Sequence, residues 1–451
     1  MQKNETYSAT ITGLSAEGTG VARIDGQVVF APGVIPGERC NIRIDHIGKT
    51  CAYGTLLQIE VPSPHRTEPE CPAFGHCGGC TFWHMDYACE LEQKRQRVID
   101  ALERIGGVRL PELQITGADS VYGYRNKVQF PVQMQNGQPT AGFFRAGSHE
   151  VIPITNCLIQ PACAETIRKA VLTWMRQEKI SAYDERQHTG LIRHIYLRCG
   201  KVTGEIMVCV VANCSKLPKK KQLVETLLRA EPAVTSVCVN YNTRKGNVIL
   251  GEQFETLYGS GMLEDELLGL RFQLSPAAFY QVNHDQAERL YQKALEFAAL
   301  QENETALDLY CGSGTITLCL AREAKQVIGV EIVEVAIHDA KKNARINQIE
   351  NAEFFCADAG QAAVKLAAEN RHPDVIVIDP PRKGASEDVL AAMHQMAPER
   401  IVYVSCDPAT LARDVKRLAA YGYQVRKGHC FDLFPRCAHV ETVVLMTKEN
   451  P

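Results

Sequence analysis

The sequence predicts an α/β protein. Its C-terminal part is a doubly wound, Rossmann-like sheet, preceded by a small β-barrel and a central α+β region. Three observations predict this. From residue 305 onward, short apolar runs alternate with helical patterns to the end of the chain, as in parallel strands joined by helices. Residues 1–61 hold five short strand-like runs punctuated by glycine turns, the pattern of a small closed barrel of the oligonucleotide-binding type. Residues 120–275 alternate strand-like and turn-like stretches around two helices, Pro161 to Gln177 and a second near Lys219 to Arg229.

Taken in order, the barrel strands are expected at Tyr7 to Leu14, Val21 to Ile24, Gln27 to Ala31, Glu38 to Asp45 and Tyr53 to Val61. Turn signals stand at Glu17-Gly18, Asp25-Gly26 and Pro36-Gly37. A proline-rich linker, Val61 to Pro69, leads into a cysteine loop. Asp86 then caps a long amphipathic helix that ends at Gly106-Gly107. After the central region, Asn283 caps a helix running to Leu300. The expected strands of the doubly wound sheet follow at 306–310, 327–330, 352–355, 375–378, 401–405, 423–432 and 440–446. The divisions expected are 1–61 barrel, 71–119 cysteine loop and helix, 120–275 central region, and 276–451 doubly wound domain.

Composition limits the function classes. A net charge of −3 over 451 residues excludes a strongly basic coat, though not a local basic face. No apolar run is long enough to span a bilayer, and Met1 to Ala9 is polar, so neither a membrane anchor nor a signal peptide is expected. A cytoplasmic monomer is the expectation. In that reducing setting the 18 cysteines are not a disulfide framework, and most should be small buried hydrophobes.

The first chemical candidate is the stretch Asp308-Leu-Tyr310-Cys-Gly312-Ser-Gly314-Thr. An apolar strand gives way to a glycine turn and then to a helix, which forms a nucleotide-cofactor cradle. The third glycine of a dinucleotide fingerprint would fall at position 317, which is Thr. That disfavours NAD or FAD and suits a single-nucleoside cofactor such as S-adenosylmethionine (SAM). Glu331 ends the next strand, where an acidic residue binds ribose hydroxyls. Asp358 ends the third strand, where it faces an adenine amino group or caps a helix.

Cys71, Cys77 and Cys80 have the spacing C-x5-C-x2-C, with Gly75, Gly78 and Gly79 between them. Clustered thiolates in a reducing cytosol indicate metal or an iron–sulfur cluster. Zinc and [4Fe–4S] both need a fourth ligand, for which Cys89, Cys157, Cys163 and His76 are candidates.

Three further candidates lie at strand ends, where a doubly wound sheet places its crevice. Asp379 closes an apolar strand before Pro-Pro-Arg382-Lys383. Cys406 leaves another strand just before a helix, whose N-terminus is expected to favour thiolate. Glu441 begins an apolar strand buried on both faces, where burial should raise its pKa towards that of a general base. A strand-ending turn, a core cysteine and a paired structural glutamate are the respective non-functional readings.

These motifs together resemble the RNA uridine-5-methyltransferase family over the whole chain. The specific pieces are Phe279-Tyr-Gln281-Val-Asn283, Asp308-Leu-Tyr310-Cys-Gly-Ser-Gly, Gly329-Val-Glu331, Asp379-Pro-Pro-Arg, Ser405-Cys406-Asp-Pro-Ala-Thr and His439-Val-Glu441-Thr-Val. The N-terminal segment closely resembles a TRAM domain, which implies RNA binding. The barrel and the cysteine loop together resemble the 23S rRNA enzymes of the family.

The resemblance implies that Cys406 is the nucleophile and Glu441 the base. It implies SAM contacts from Gln281, Tyr310, Glu331 and Asp379; Gly312, in the glycine turn, and Asp358, at the end of the third strand, are expected in the same site from their positions. It implies a [4Fe–4S] cluster on Cys71, Cys77, Cys80 and Cys157, which selects Cys157 among the candidates for fourth ligand. One departure is Asp407, where the family motif often has Asn.

The activity implied is methylation of C5 of a uridine in 23S rRNA, with RNA as the partner. The alternatives are a tRNA target, a dual-site rRNA enzyme, or a redox-sensing RNA-binding protein without methyl transfer. RNA contacts are expected from the barrel, Tyr124 to Lys127, Arg193-His194, Lys216 and Lys219 to Lys221, with Phe279 or Tyr280 stacking on the extruded base.

Overall fold

The computed structural model describes residues 1–448. The N-terminal strands are β1 (Thr6–Thr10), β2 (Gly13–Leu14), β3 (Gly20–Ile24), β4 (Gln27–Ala31), β5 (Arg39–Ile47) and β6 (Cys51–Val61). They form a sheet of order β1-β5-β6-β4-β3-β2 around a core of Ala9, Ile11, Ala22, Val29, Ile42 and Ile44. The first expected strand is two strands. Its backbone changes partner at Ile11 and Thr12, leaving β5 and joining β3. Glu38 is fully buried and ties this unit to the linker. Its carboxylate accepts from Ile35 N, Ser63 N and the Arg66 guanidinium.

Helix α1 (Tyr87–Ala101) starts on Asp86, whose side chain accepts from Cys89 N at 2.7 Å. It closes in a single π-turn, Leu102–Gly106, and stops at Gly107 in the left-handed region. A three-residue strand, β7 (Gln114–Thr116), precedes the central sheet and pairs elsewhere.

The central sheet holds β8 (Lys127–Gln135), β9 (Gln138–Phe144), β10 (Val151–Pro153), β11 (Ile192–Cys199), β12 (Ile206–Ala212), β13 (Val234–Tyr241) and β14 (Gln253–Tyr258). Its order is β10-β9-β8-β11-β12-β13-β14. Helices α2 (Cys163–Gln177) and α3 (Lys220–Ala230) cover one face with Ile167, Trp174, Leu223 and Leu227. The other face carries Tyr196, Cys209 and Cys238. The hairpin β15 (Leu263–Leu267) and β16 (Leu270–Leu274), turned through Leu268-Gly269, packs into the core of the next unit.

Helix α4 (His284–Ala298), capped by Asn283, leads into the doubly wound sheet. The chain then runs β17 (Thr305–Leu309), α5 (Thr315–Ala321), β18 (Gln326–Glu331), α6 (Glu334–Ile346), β19 (Ala352–Cys356), α7 (Ala359–Ala368) and β20 (Val375–Ile378). It continues through α8 (Glu387–Met396), β21 (Arg400–Ser405), α9 (Pro408–Ala420), β22 (Tyr423–Phe431) and β23 (Glu441–Lys448). The sheet order is β19-β18-β17-β20-β21-β23-β22-β7. The direction of winding reverses between β17 and β20, so a ligand crevice opens beyond their C-terminal ends. Strands β17, β18 and β20 are largely apolar because both faces are covered by helices. Among the described residues, no helix is long and apolar enough to cross a membrane.

Candidate active site

The cradle lies at the end of β17. Tyr310 takes a left-handed φ of 72°, uncommon for a bulky residue. The amides of Tyr310 and Cys311 both donate to Val330 O at 2.9 Å, which holds the turn against β18. At Gly312, with φ +55°, a Cβ would meet nothing within 4 Å, so the cradle is open there and accessible to a ligand. Gly314 caps α5, and a Cβ on it would press against Ala340 at 3.1 Å. Thr317, in the place of a third glycine, donates its hydroxyl to Asp308 Oδ2 at 2.6 Å. Asp308 is fully buried with Oδ1 unpartnered, and burial pushes its carboxyl up to about 7.

Glu331 Oε2 accepts from Gly312 N at 3.2 Å and Oε1 from Val333 N at 3.0 Å, so the carboxylate lies against the cradle. Ile332 and Val333 beside it are 63% and 52% exposed, an apolar lip that the sequence reading did not single out. Asp358 is exposed and caps α7, with Oδ1 accepting from Gly360 N and Gln361 N. Gln281 is buried near Tyr291, and its backbone carbonyl accepts from Asn126 Nδ2 at 2.8 Å. Phe279 is 61% exposed and free to stack. Tyr280 is not, because it packs in the core against Phe272.

Asp379, Cys406 and Glu441 come together at the ends of β20, β21 and β23. The antiparallel register pairs Ser405 with Thr442, which puts Cys406 and Glu441 side by side at one end of neighbouring strands. Glu441 is 3% exposed and makes neither an ion pair nor a side-chain hydrogen bond among the described residues. Burial, and then the Asp379 charge, push it up to about 8, against a smaller opposing effect of Arg382. It is not a paired structural glutamate. Burial alone pushes Asp379 up to about 7.

The expected lowering of the Cys406 pKa by a helix N-terminus does not occur. Burial, followed by the charges of Glu441 and Asp379, pushes the thiol up to about 12; only Arg382 opposes appreciably. The next residue is Asp407. It is the N-cap of α9, and its Oδ1 accepts from Ala409 N at 3.0 Å and Thr410 N at 2.9 Å. The amides that would stabilise a thiolate are already satisfied by a carboxylate. Arg382 Nη2 also lies 3.3 Å from His439 Nε2, and burial keeps that imidazole neutral by lowering it to about 4.

Of the loop cysteines and their candidate partners, Cys71, Cys77, Cys80 and Cys157 line one cavity, of about 110 Å³. Cys89 packs elsewhere, with Ile35, Phe82 and Met85. Cys163 lies with its Sγ 3.2 Å from that of Cys199, and His76 does not line the cavity. Among the described residues, no three His, Cys, Asp or Glu groups are placed to hold a single metal ion. Four thiols spaced around a cavity suit a cluster better, because each binds a different iron.

Cys437 was not anticipated here. Its Sγ donates to Gly79 O at 3.2 Å, and the amides of Thr81 and Phe82 donate to Arg436 O. The cysteine loop is thereby fastened to the turn that leads into Glu441. Only the fold brings these segments together, so no local motif marked them.

Three of the other expected RNA contacts have partners within the protein. Lys219 pairs with Glu178 and Lys220 with Glu255, as at an ordinary solvated helix start. Arg193 is buried, and its Nη atoms donate to the carbonyls of Asn242, Arg244 and Gly246.

The open glycine cradle, the carboxylate at the end of the second strand and the N-terminal barrel define a SAM-dependent RNA methyltransferase carrying a TRAM domain. Residues 86–449 match the family model of tRNA (uracil-5-)-methyltransferases, and residues 2–57 match the TRAM domain. The chain belongs to the tRNA (uracil-5-)-methyltransferase family. It is 42% identical over 447 residues to an uncharacterized RNA methyltransferase of Clostridium tetani, covering 99% of this chain and 97% of that one. It is also 42% identical over 451 residues to one of Halalkalibacterium halodurans, covering 100% and 98%. The crystal structure of Pyrococcus abyssi tRNA (uracil-54, C5)-methyltransferase, in complex with S-adenosyl-L-homocysteine, superposes with a TM-score of 0.80. Its identity is 28%, over 98% of this chain and 99% of that chain.

Proposed function

We propose that the chain transfers a methyl group from SAM to C5 of a uridine in 23S rRNA, through a covalent bond between Cys406 and C6. The observation that carries this reading is the convergence of Cys406, Glu441 and Asp379 beside the cradle. C5 of uracil is too weak a nucleophile to be methylated directly. Attack of the Cys406 sulfur on C6 forms the S–C6 bond and moves the C5–C6 π electrons into an enolate with carbanion character at C5.

The Cys406 proton leaves as the sulfur attacks, to one of the two carboxylates beside it, Glu441 or Asp379. Arg382 offsets the negative charge gathered there. SAM, when bound, supplies the electrophilic methyl group. Glu441, once ionised, removes the proton from C5; the π bond re-forms, the S–C6 bond breaks and the sulfur regains its proton. Gln281, Tyr310, Gly312, Glu331, Asp358 and Asp379 would hold SAM. Phe279 is the aromatic placed to stack on the extruded uridine.

Cys71, Cys77, Cys80 and Cys157 would hold a [4Fe–4S] cluster, which would supply a rigid staple for the loop; methyl transfer needs no redox step. The lining of one cavity by all four thiols supports this. Anaerobically purified protein should show the visible absorbance of an iron–sulfur protein. Colourless protein with stoichiometric zinc would overturn it.

A tRNA target is the second reading, and one observation favours it. The Pyrococcus abyssi tRNA enzyme matches 98% of this chain, so an N-terminal barrel does not by itself separate rRNA from tRNA enzymes. Mapping 5-methyluridine by mass spectrometry in cells with and without the protein decides the matter. Loss of a site in 23S rRNA is expected. Loss in tRNA alone would replace the target, and no loss in either RNA would overturn the reading.

A further inference from the structure

A cavity of about 220 Å³ lies on the helix-free face of the central sheet and shares no lining residue with the crevice at Cys406. Its walls are aromatic. Phe144 stacks on His149 with ring centroids 5.2 Å apart, and Tyr183 carries the Arg193 guanidinium 4.6 Å above its ring. His149 is held in place by Glu185, at 2.7 Å from Nδ1 to Oε2.

The cavity is also lined by two side chains with unspent hydrogen-bonding groups. Arg193 is 4% exposed and its Nη atoms are consumed by three backbone carbonyls, yet its Nε is buried with no partner. His194 Nδ1 is likewise buried with no partner. Burial, with the Arg193 charge, lowers His194 to about 4, so it is neutral and either donates or accepts.

The shape of that occupant follows. A phosphate would take a guanidinium fork, but the fork of Arg193 is already in use. What remains is the half-buried His194 ring among flat walls. A neutral imidazole that donates or accepts suits the polar edge of a heteroaromatic base. The exposed loop at the mouth adds Lys245, which suits a phosphodiester backbone passing outside.

We propose that this pocket receives one unstacked nucleobase of the substrate RNA, separate from the uridine at Cys406. It would fix the register in which the RNA enters the active site, by stacking and by reading one base edge. The proposal rests on RNA being the substrate, which family membership supports.

The test uses the full-length protein, reconstituted with its metal or cluster if it carries one. His149→Ala removes an exposed wall, and His194→Leu removes the edge-reading nitrogen. Binding of unmodified 23S rRNA transcript, and of unmodified tRNA transcripts in a second arm, is measured without methyl transfer. SAM affinity reports that each variant is folded. Each variant should weaken the RNA that wild type binds by about tenfold, as expected for losing one base stack. An abasic nucleotide at one position of that RNA should weaken wild type equally and cost the variants nothing more.

RNA affinity within twofold of wild type in both variants would overturn the proposal. So would millimolar AMP or UMP binding to the pocket while RNA affinity is unchanged, which would make it a site for free nucleotide. Wild-type protein that binds RNA yet methylates none would instead count against the proposed function, leaving the pocket to be judged on binding alone.

Discussion

Glu90 and Asp432 are as deeply buried as Glu441, and the two settings differ in what faces the carboxylates. Lys94 Nζ lies 2.6 Å from Glu90 and 2.7 Å from Asp432 and also donates to Phe434 O, while the Arg436 amide donates to Glu90 at 2.7 Å. Burial alone would lower the Lys94 ammonium; the two carboxylates outweigh it and hold it above its ordinary value. Every charge there has a partner, and the network ties α1 to the end of β22. Burial raises Glu90 too, to about 7, with Lys94 and Arg436 opposing it; Glu441, at about 8, and Asp379, at about 7, have no hydrogen-bonded cation facing them. One set of carboxylates holds the fold together. The other is kept unpaired, at a cost in stability, where a proton must move.

Breaking the functional side should have the largest effect. Cys406→Ala should reduce methyl transfer to background while SAM affinity, measured by calorimetry, stays within twofold. Loss of SAM binding would mean that Cys406 supports the cradle rather than the chemistry.

Glu441→Gln should lower turnover by about 10²–10⁴. It should also accumulate a slow-migrating protein–RNA adduct on a denaturing gel, because addition outruns release. The same variant tests burial without pairing. Between the ordinary value of 4.5 and about 8, folded protein holds a proton on Glu441 that unfolded protein has lost. That contribution to stability is present at low pH and is lost as pH rises through about 8. The unfolding midpoint of Glu441→Gln should therefore be less sensitive to pH than that of wild type, and higher than wild type at alkaline pH.

On the paired side, Lys94→Met leaves two buried carboxylates facing each other and should destabilise by about 3–5 kcal/mol. Its thermal midpoint should rise again when Glu90→Gln is added. Smallest of all, Asp407→Ala should cost about 1 kcal/mol, as for loss of an N-cap. It should also make Cys406 more reactive to iodoacetamide at neutral pH, since two amides are freed beside it.

Much of this comparison was legible in the sequence. The doubly wound strands stood out because buried parallel strands are uninterrupted apolar runs, as in Val375 to Ile378. Cys406, Glu441 and Asp379 were marked by strand-end position. What was not legible depends on contacts between distant segments. The three residues of β7 have no pattern of their own and acquire an edge role only beside β22. Lys94 reads as an ordinary helix lysine until Asp432 is folded against it. The Cys406 pKa could not be read from its place before a helix, because burial and the charges of Glu441 and Asp379, which only the fold sets beside it, push it up.

The most direct test of the account is to react the wild-type protein with SAM and substrate RNA carrying 5-fluorouridine, then identify the linked peptide by mass spectrometry. Fluorine at C5 leaves no proton for Glu441 to remove, so the reaction should stop after methylation with the nucleotide still attached. The account predicts one adduct, on the peptide containing Cys406, bearing a methylated fluorouridine. An adduct on any other residue, or methylated fluorouridine released with no adduct formed, would contradict it.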